Sequence, residues 1–339
     1  MALHGFFCVH PSPQTCRSLD PAGSAQTFPP PESTVSCILD EFLVQCFPPT
    51  TSLMPIQKAV ITYAGPGQQA LPFQTLVDRD GIQKSALSII LGEVVEAGIT
   101  QIALVITPGT KNDFLASAPQ FARHLTFIEQ DQPRGYGDAI LRAQEFTGGE
   151  SFLHLVGDHL FLSHTGASCT RQLVEFAAAE DCAVSGVHST RETMLHQYGA
   201  IGGKIVDNRR LSYQVERVAE KPTPTEAEQH LIVPGQRAGY YLCFFGMHVL
   251  TPKVMNLLAD TAKEADTPFN LSCALAQLPR HEKYLALEIQ GQRFNIGVKY
   301  GILAAQLALG LSGCDRETII AQIADVLAER ERLMPRAQK

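Results

Sequence analysis

The sequence predicts an α/β fold: a doubly wound, mostly parallel sheet with helices on both faces, plus a β-hairpin insertion and C-terminal helices. Three observations carry that expectation. From Lys58 onward, short apolar runs alternate with segments of helical periodicity. The runs are continuous rather than alternating, as in strands covered on both faces. Repeated strand–helix–strand order then calls for parallel neighbours joined by crossovers.

The elements follow in order. AVITYA at 59–64 is the first buried strand. SALSIILGEVVEA at 85–97 spaces its apolar residues as a helix does and stops at Gly98. QIALVIT (101–107) and HLTFIEQ (124–130) are the second and third strands. GYGDAILRAQEF (135–146) opens on glycines and continues as a helix. FLHLVGD (152–158) is a fourth strand, ending in an acid. RQLVEFAAAE (171–180) is helical, and CAVSGVH (182–188) is a fifth strand.

After Tyr198 the texture changes. Residues 198–222 read as a β-hairpin turning at Asp207-Asn208. TPTEAEQHL (223–231) is a short helix, GYYLCFFGMHVL (239–250) a strand, and TPKVMNLLAD (251–260) a helix with an early proline. KYLALEIQG and RFNIGVK precede the apolar helix YGILAAQLALGL, and residues 315–331 form a last amphipathic helix. Its Ile319, Ile323, Val326 and Ala328 make a partial apolar stripe. That stripe packs on its own domain or makes a subunit contact, giving a homo-oligomer.

Residues 1–53 are of another kind. Pro, Ser, Thr and Cys dominate in PSPQ, FPPPES and CFPPTTS, and only CILDEFLVQC can form a short helix. Disorder is the expectation for such a composition. The chain therefore divides into a tail (1–53), an α/β domain (54–312) and a C-terminal helix with its tail (313–339).

Composition narrows the functional classes. The 339 residues are 45% hydrophobic, enough for one large core or two small ones. The formal charge is -7 and no Lys/Arg-rich run occurs, which argues against a nucleic-acid groove. No stretch of roughly 18 uncharged apolar residues crosses a membrane. The first residues lack the basic-then-apolar pattern of a signal peptide. The nine cysteines are dispersed and form no CxxC pair. They read as free thiols in a reducing cytoplasm rather than as a disulfide framework or zinc site. His154, His159 and His164 recur at steps of five, which does not put them on one strand face, so they do not read as metal ligands.

Four constellations carry chemistry. Ala64-Gly65-Pro66-Gly67-Gln68-Gln69 follows the first strand directly. Glycines there permit a tight turn whose N–H groups face an anion, although an ordinary turn uses the same residues. No Gly-Lys-Ser/Thr follows, so this is not a Walker loop, and the third glycine of a dinucleotide fingerprint is absent. Gln130 ends a strand before Gly135-Tyr136-Gly137, where a glutamine edge can pair with a base and glycines admit a flat ring. A plain loop and helix cap is the alternative. Leu155-Val156-Gly157-Asp158-His159 sets a carboxylate at the sheet's ligand edge. There it can hold Mg²⁺ through one oxygen, or serve as a turn aspartate. Glu220-Lys221-Pro222 supplies acceptors for sugar hydroxyls and a point charge for a phosphate, or a solvated turn pair.

These pieces, in this order, resemble bacterial UTP–glucose-1-phosphate uridylyltransferases within the wider sugar-phosphate nucleotidyltransferase family. The matching segments are AVITYAGPGQQALP, VVEAGITQIALV, GYGDAI, LVGDH, YGAIGG, AEKP and RFNIGVKYG, spread over about Lys58 to Leu311. The resemblance implies a nucleotide-diphospho-sugar transferase fold of Rossmann-like type, and a reaction between a nucleoside triphosphate and a sugar-1-phosphate. The products would be UDP-glucose and pyrophosphate. By position, Ala64, Gly65, Gly67, Gln68, Gln69, Gln130 and Gly135 fall on nucleotide-binding positions. Asp158 and Asn295 fall on the Mg²⁺ positions. Gly199, Glu220, Lys221 and Lys299 fall on sugar-phosphate positions. Asp158, Lys221 and Asn295 are the catalytic candidates.

Three departures stand against a simple carry-over. The family's glycine loop continues Thr-Arg, where this chain has Gln68-Gln69. A family lysine a few residues later has no counterpart in Phe73-Gln74-Thr75; Arg79 and Lys84 are the nearest replacements. Asn295 stands where the family has its second metal-binding Asp. An amide in place of a guanidinium removes a charge and a bidentate fork at the leaving pyrophosphate. The chain is thus read as a working uridylyltransferase, or as a nucleotide-sugar-binding relative with weak or no turnover and a regulatory or subunit role.

Overall fold

A computed structural model describes residues 56–65, 67–132, 134–263 and 269–333. The expected N-terminal tail, 1–53, lies outside the described residues. The described residues form thirteen strands: β1 (Lys58–Thr62), β2 (Thr75–Val77), β3 (Gln83–Ser85), β4 (Gln101–Ile106), β5 (Leu125–Glu129), β6 (Phe152–Val156), β7 (His159–Ser163), β8 (Ala183–Arg191), β9 (Ala200–Asp207), β10 (Ser212–Ala219), β11 (Tyr240–Leu250), β12 (Tyr284–Glu288) and β13 (Gly291–Asn295).

Nine of them form one sheet in the order β5-β4-β1-β6-β11-β8-β12-β10-β9. β5, β4, β1 and β6 are mutually parallel, as the apolar runs predicted. β11 enters antiparallel between β6 and β8, and β12 runs parallel to β8. β9 and β10 form the expected antiparallel hairpin, which joins the sheet through β12. Only β10 and β11 therefore oppose the common direction, and the sheet is mostly parallel.

Helices cover both faces because successive strand residues point opposite ways. Ile61 packs into a cluster with Leu87 and Ile90 of the helix Ala86–Glu96 and Leu173 of the helix Cys169–Glu180. Its neighbour Val60 packs into the other cluster, with Ile140, Val254 and Leu275 from three further helices. Helix starts are set by side-chain caps. Ser85 accepts from Ser88 N at 3.0 Å, and Ser168 from Arg171 N at 3.2 Å.

Several details differ from the sequence-based expectation. The helix expected over 135–146 is broken into Tyr136–Leu141 and Gln144–Thr147, ending at Gly148 in the left-handed region. The run after Asp158 is a separate strand, β7, because it pairs antiparallel with β13 outside the main sheet. The helix Leu271–Gln277, capped by Asn270 on Cys273 N at 2.9 Å, carried no periodic signal over its seven residues. At the C-terminus, Ile319 packs on Gly310, whereas Val326 is exposed, so only part of the expected stripe meets its own domain. Among the described residues, no helix is long and apolar enough to cross a membrane.

Candidate active site

β1, β5 and β6 run the same way, so their carboxyl ends deliver Ala64, Gln130 and Asp158 to one edge of the sheet. Ligands of doubly wound folds bind beyond that edge.

The β6 exit requires Gly157. A Cβ there would stand 2.6 Å from the Thr62 carbonyl oxygen and run into the Tyr63 ring. The glycine lets β6 end tight against β1 and turns the chain so that Asp158 faces the glycine loop. In that loop Gly67 has φ +81, and Gln68 N donates to the Gly65 carbonyl at 3.1 Å. The turn folds the Gln68 side chain back, where its Nε2 donates to Asp158 Oδ2 at 3.1 Å. Ala64 is buried at the strand exit and Gln69 is exposed.

Asp158 has a second partner. His159 Nδ1 lies 2.6 Å from its Oδ1. Burial pushes the Asp158 carboxyl up, but the His159 hydrogen bond and charge, with the Gln68 amide, outweigh this and hold it below the usual carboxylate range. An ionised carboxylate only accepts, so His159 Nδ1 carries the proton.

β13 brings Asn295 opposite His159 in register, and Ile296 N donates to the Asp158 carbonyl at 2.9 Å. Asn295 Oδ1 accepts from Gly297 N at 2.8 Å. The two candidate metal positions are therefore neighbours. Their donor set is one carboxylate and one carboxamide oxygen, each retaining lone pairs beyond the bonds described. That set fits a cation whose remaining ligands are phosphate oxygens and water. It does not fit an all-protein cage: among the described residues no group of three His, Cys, Asp or Glu could hold a metal.

A second cluster forms around Gly199. A Cβ at Gly199 would meet the Phe244 ring at 2.7 Å and Glu220 Oε2 at 3.0 Å. Glu220 Oε2 accepts from Ser272 Oγ at 2.5 Å, and Lys221 N donates to the Tyr198 carbonyl at 3.2 Å. Gly199, Glu220 and Lys221 thus meet as expected. Lys221 holds φ +47, which costs a non-glycine residue of order 1–2 kcal/mol. That strain keeps an exposed ammonium at the turn after β10.

The third cluster departs from a simple base pocket. Gln130 is buried, and its Nε2 donates to Asp138 Oδ2 at 2.6 Å, with Arg134 Nη2 on the other Asp138 oxygen at 2.9 Å. Gly135, at φ +123, and Gly137 both face Phe269: a Cβ at Gly135 would lie 2.9 Å from the Phe269 carbonyl oxygen. Beneath them Tyr136 Oη bonds to His154 Nε2. His154 Nδ1 lies 3.0 Å from the Val60 carbonyl oxygen, so Nδ1 carries the proton and the tyrosine donates to Nε2. Burial pulls the His154 pKa down to about 4, which keeps that ring neutral.

The remaining cations stand apart. Lys299 is exposed, with Nζ 5.1 Å from the Tyr300 ring, and no described contact ties it to Glu220 or Lys221. Lys84 is held by Asp78 and Asp80 at 2.6 Å each, and with Arg79 it lines a cavity beside Glu93 and Leu309. Arg79 and Lys84 therefore do not replace the missing loop charge in this arrangement. Their sequence proximity to the glycine loop is cancelled by the β2–β3 hairpin, which turns them away.

The sequence pattern of the nucleotidyl transferase family matches residues 80–294. The chain belongs to the nucleotidyl transferase family. The UTP–glucose-1-phosphate uridylyltransferase YngB of Bacillus subtilis is 27% identical to it, over 83% of this chain and 99% of that protein. A UTP–glucose-1-phosphate uridylyltransferase of Streptococcus pyogenes is also 27% identical, over 76% of this chain and 89% of its own. Among solved structures, the UDP-glucose pyrophosphorylase from Acinetobacter baumannii is similar at 27% identity and TM-score 0.64, covering 80% of this chain and 99% of that one.

Within this nucleotidyl transferase, sequence reasoning did not anticipate the contacts of Asp138 and Ser272, and it considered His154 and His159 only as metal ligands. His159 adjoins Asp158 in the motif, so adjacency to a strand-end acid was the available signal. Ser272 and His154 carried none, because each reaches its partner from a distant element.

Proposed function

We propose that this nucleotidyl transferase joins UTP to glucose-1-phosphate, forming UDP-glucose and releasing pyrophosphate. The observation that carries the reading is the convergence of Gln68, Asp158 and Asn295 at the carboxyl edge of the parallel strands. Matches to uridylyltransferases over most of the chain support the substrate pair.

The sugar-1-phosphate oxygen attacks the α-phosphorus in line. A P–O bond forms, the bond to the β-phosphate's bridging oxygen breaks, and pyrophosphate leaves. Such transfers depend on positioning and on neutralising charge. In this reading the turn at Gly65 and Gly67 brings backbone donors to the nucleotide phosphates, and Gln130 and Gly135 border the base. Glu220 accepts from sugar hydroxyls, while Lys221 meets the sugar phosphate, with Lys299 able to swing in from the rim. Asp158 and Asn295 would hold Mg²⁺, which supplies charge neutralisation at the phosphates when bound. The cysteines of the described residues are free thiols, in keeping with a reducing cytoplasm. Exposed Ile320, Val326 and Leu327 support contact between copies through the last helix.

The absence of a cation from the described glycine loop favours a second reading, in which the chain binds the nucleotide sugar with little turnover. Purified protein with UTP, glucose-1-phosphate and Mg²⁺, assayed for pyrophosphate release, separates the two. No release, with UDP-glucose still binding by calorimetry, sinks the enzyme reading.

A further inference from the structure

Arg293 is the one buried guanidinium among the described residues with an unpartnered nitrogen: its Nη1 is inaccessible to solvent and makes no hydrogen bond. Its flat face is used. The Tyr198 ring lies 3.9 Å beneath it and the Phe245 ring 5.7 Å away. Stacking engages the π face of a guanidinium and leaves its edge donors free. A buried charge without a partner is among the least tolerated features of a folded protein, so it calls for an anion.

The lining of the hollow supplies no anion. Arg293 lines a hollow of about 420 Å³ with His188, Arg191, Thr190, Tyr198 and Tyr240, and none of its lining residues is acidic. Glu288 on the adjoining strand β12 accepts from the Tyr213 hydroxyl at 3.0 Å and is not a partner of Arg293. At the rim, Arg191 Nε donates to Tyr240 Oη at 3.0 Å, which fixes a second guanidinium. Burial chiefly lowers the His188 pKa, with the Arg293 charge adding to it and the Glu288 charge opposing it. In a chain of formal charge -7 this is an isolated cationic hollow.

The hollow adjoins the site described above without coinciding with it: Tyr198 lines the hollow while its carbonyl accepts from Lys221 N at 3.2 Å, and Asn295 follows Arg293 by two residues on β13. Gly199 and Glu220 lie against Phe244, whereas Arg293 lies against Phe245. Consecutive residues of β11 point to opposite sides, and the two phenylalanines belong to different core clusters.

We infer that the hollow at Arg293 is a binding site for a small phosphate-bearing anion, contacted by Arg191 and His188 and balanced by the Arg293 charge that lines it. The phosphate is either a free effector anion or the second phosphate of a bound sugar bisphosphate. Both present the same oxyanion to the guanidinium.

The test reads thermal stability in phosphate-free buffer, so it does not depend on turnover. Inorganic phosphate, glucose-1-phosphate and glucose-1,6-bisphosphate are titrated against the wild-type chain, Arg293→Met and Arg191→Ala, and midpoints are converted to apparent Kd. Wild type should gain stability with inorganic phosphate. Arg293→Met should bind it roughly ten- to a hundredfold more weakly, and Arg191→Ala severalfold more weakly. Without ligand, Arg293→Met should melt at or above the wild-type midpoint, because it removes an uncompensated charge. A response to inorganic phosphate that is weakened in Arg293→Met identifies a free anion. A response to the bisphosphate alone, beyond that to glucose-1-phosphate and lost in Arg293→Met, identifies the sugar's second phosphate. The site is overturned if wild type responds to none of the three, or if the variants keep the wild-type response. If Arg293→Met does not fold, Arg191→Ala carries the same comparison.

Discussion

Gln68 Nε2 donates to Asp158 Oδ2 at 3.1 Å, so the glycine loop closes directly onto the acid that ends β6. In this nucleotidyl transferase the neutral amide therefore contacts the residue proposed to hold a metal. The loop brings hydrogen-bonding capacity to the site and no charge.

Gln69→Arg tests what that missing charge does. A guanidinium at this exposed position supplies a bidentate partner for the leaving pyrophosphate. The expected rise in kcat is about tenfold or more, since one transition-state contact of this kind is typically worth ~2.7–4 kcal/mol. Pyrophosphate release at saturating substrates measures it. An unchanged rate removes Gln69 from the phosphate path.

Asn295→Asp restores a second carboxylate beside Asp158. The Gly297 N–H bond at 2.8 Å suits either side chain, so the fold should tolerate the change. The Mg²⁺ concentration giving half-maximal rate should fall severalfold, with little change at saturating Mg²⁺. No shift on metal titration means that Asn295 lies outside the metal shell.

Lys221 combines two effects that substitution can separate. Lys221→Ala should raise the KM for glucose-1-phosphate strongly and leave the UTP KM nearly unchanged. Lys221→Gly should lose the same contact yet be more stable than the alanine variant by about 1 kcal/mol, because glycine accepts φ +47 without strain. Equal stability of the two variants would falsify the strain at this turn.

Glu93 predicts a pH dependence. Burial chiefly raises its pKa from 4.5 to about 7. A raised carboxyl binds protons more tightly in the folded state. Stability is then highest below the unfolded value and declines as pH rises from about 4.5 to 7. Glu93→Gln should therefore stabilise the chain at pH 8 by on the order of 2–3 kcal/mol, and change little at pH 4.5. Denaturant midpoints at the two pH values measure this. A gain that is the same at both pH values contradicts it.

Tyr136→Phe removes the donor to His154 Nε2 and leaves a buried acceptor unpaired. The cost should be about 1–3 kcal/mol. Adding His154→Phe should recover only part of it, since it removes the unpaired Nε2 but also the donor to the Val60 carbonyl. A double variant no more stable than Tyr136→Phe alone counts against the pair.

Much of the fold was legible because its signals are local. Apolar runs at 59–62 and 102–106, and the largely apolar 152–156, are buried parallel strands. The strand-end acid Asp158 and the Glu220-Lys221 turn were readable for the same reason. β7 was not, because LFL continues an apolar run and only pairing with β13 makes it a separate strand. Gly135 and Gly137 read as room for a ring or ribose, yet the close approach they permit within the described residues is that of Phe269.

The sequence by itself determined the strand and helix alternation, the glycines at strand exits and the order of acids, amides and lysines along the chain. Those properties follow from side-chain size, periodicity and φ preference within a few residues. Tertiary structure alone decided that Gln68 meets Asp158, that Arg79 and Lys84 face a different cavity, and that Arg293 lies over Tyr198 without an acid. Each of these joins segments far apart in sequence. Packing of the core clusters around the sheet selects such pairings, and no local pattern encodes them.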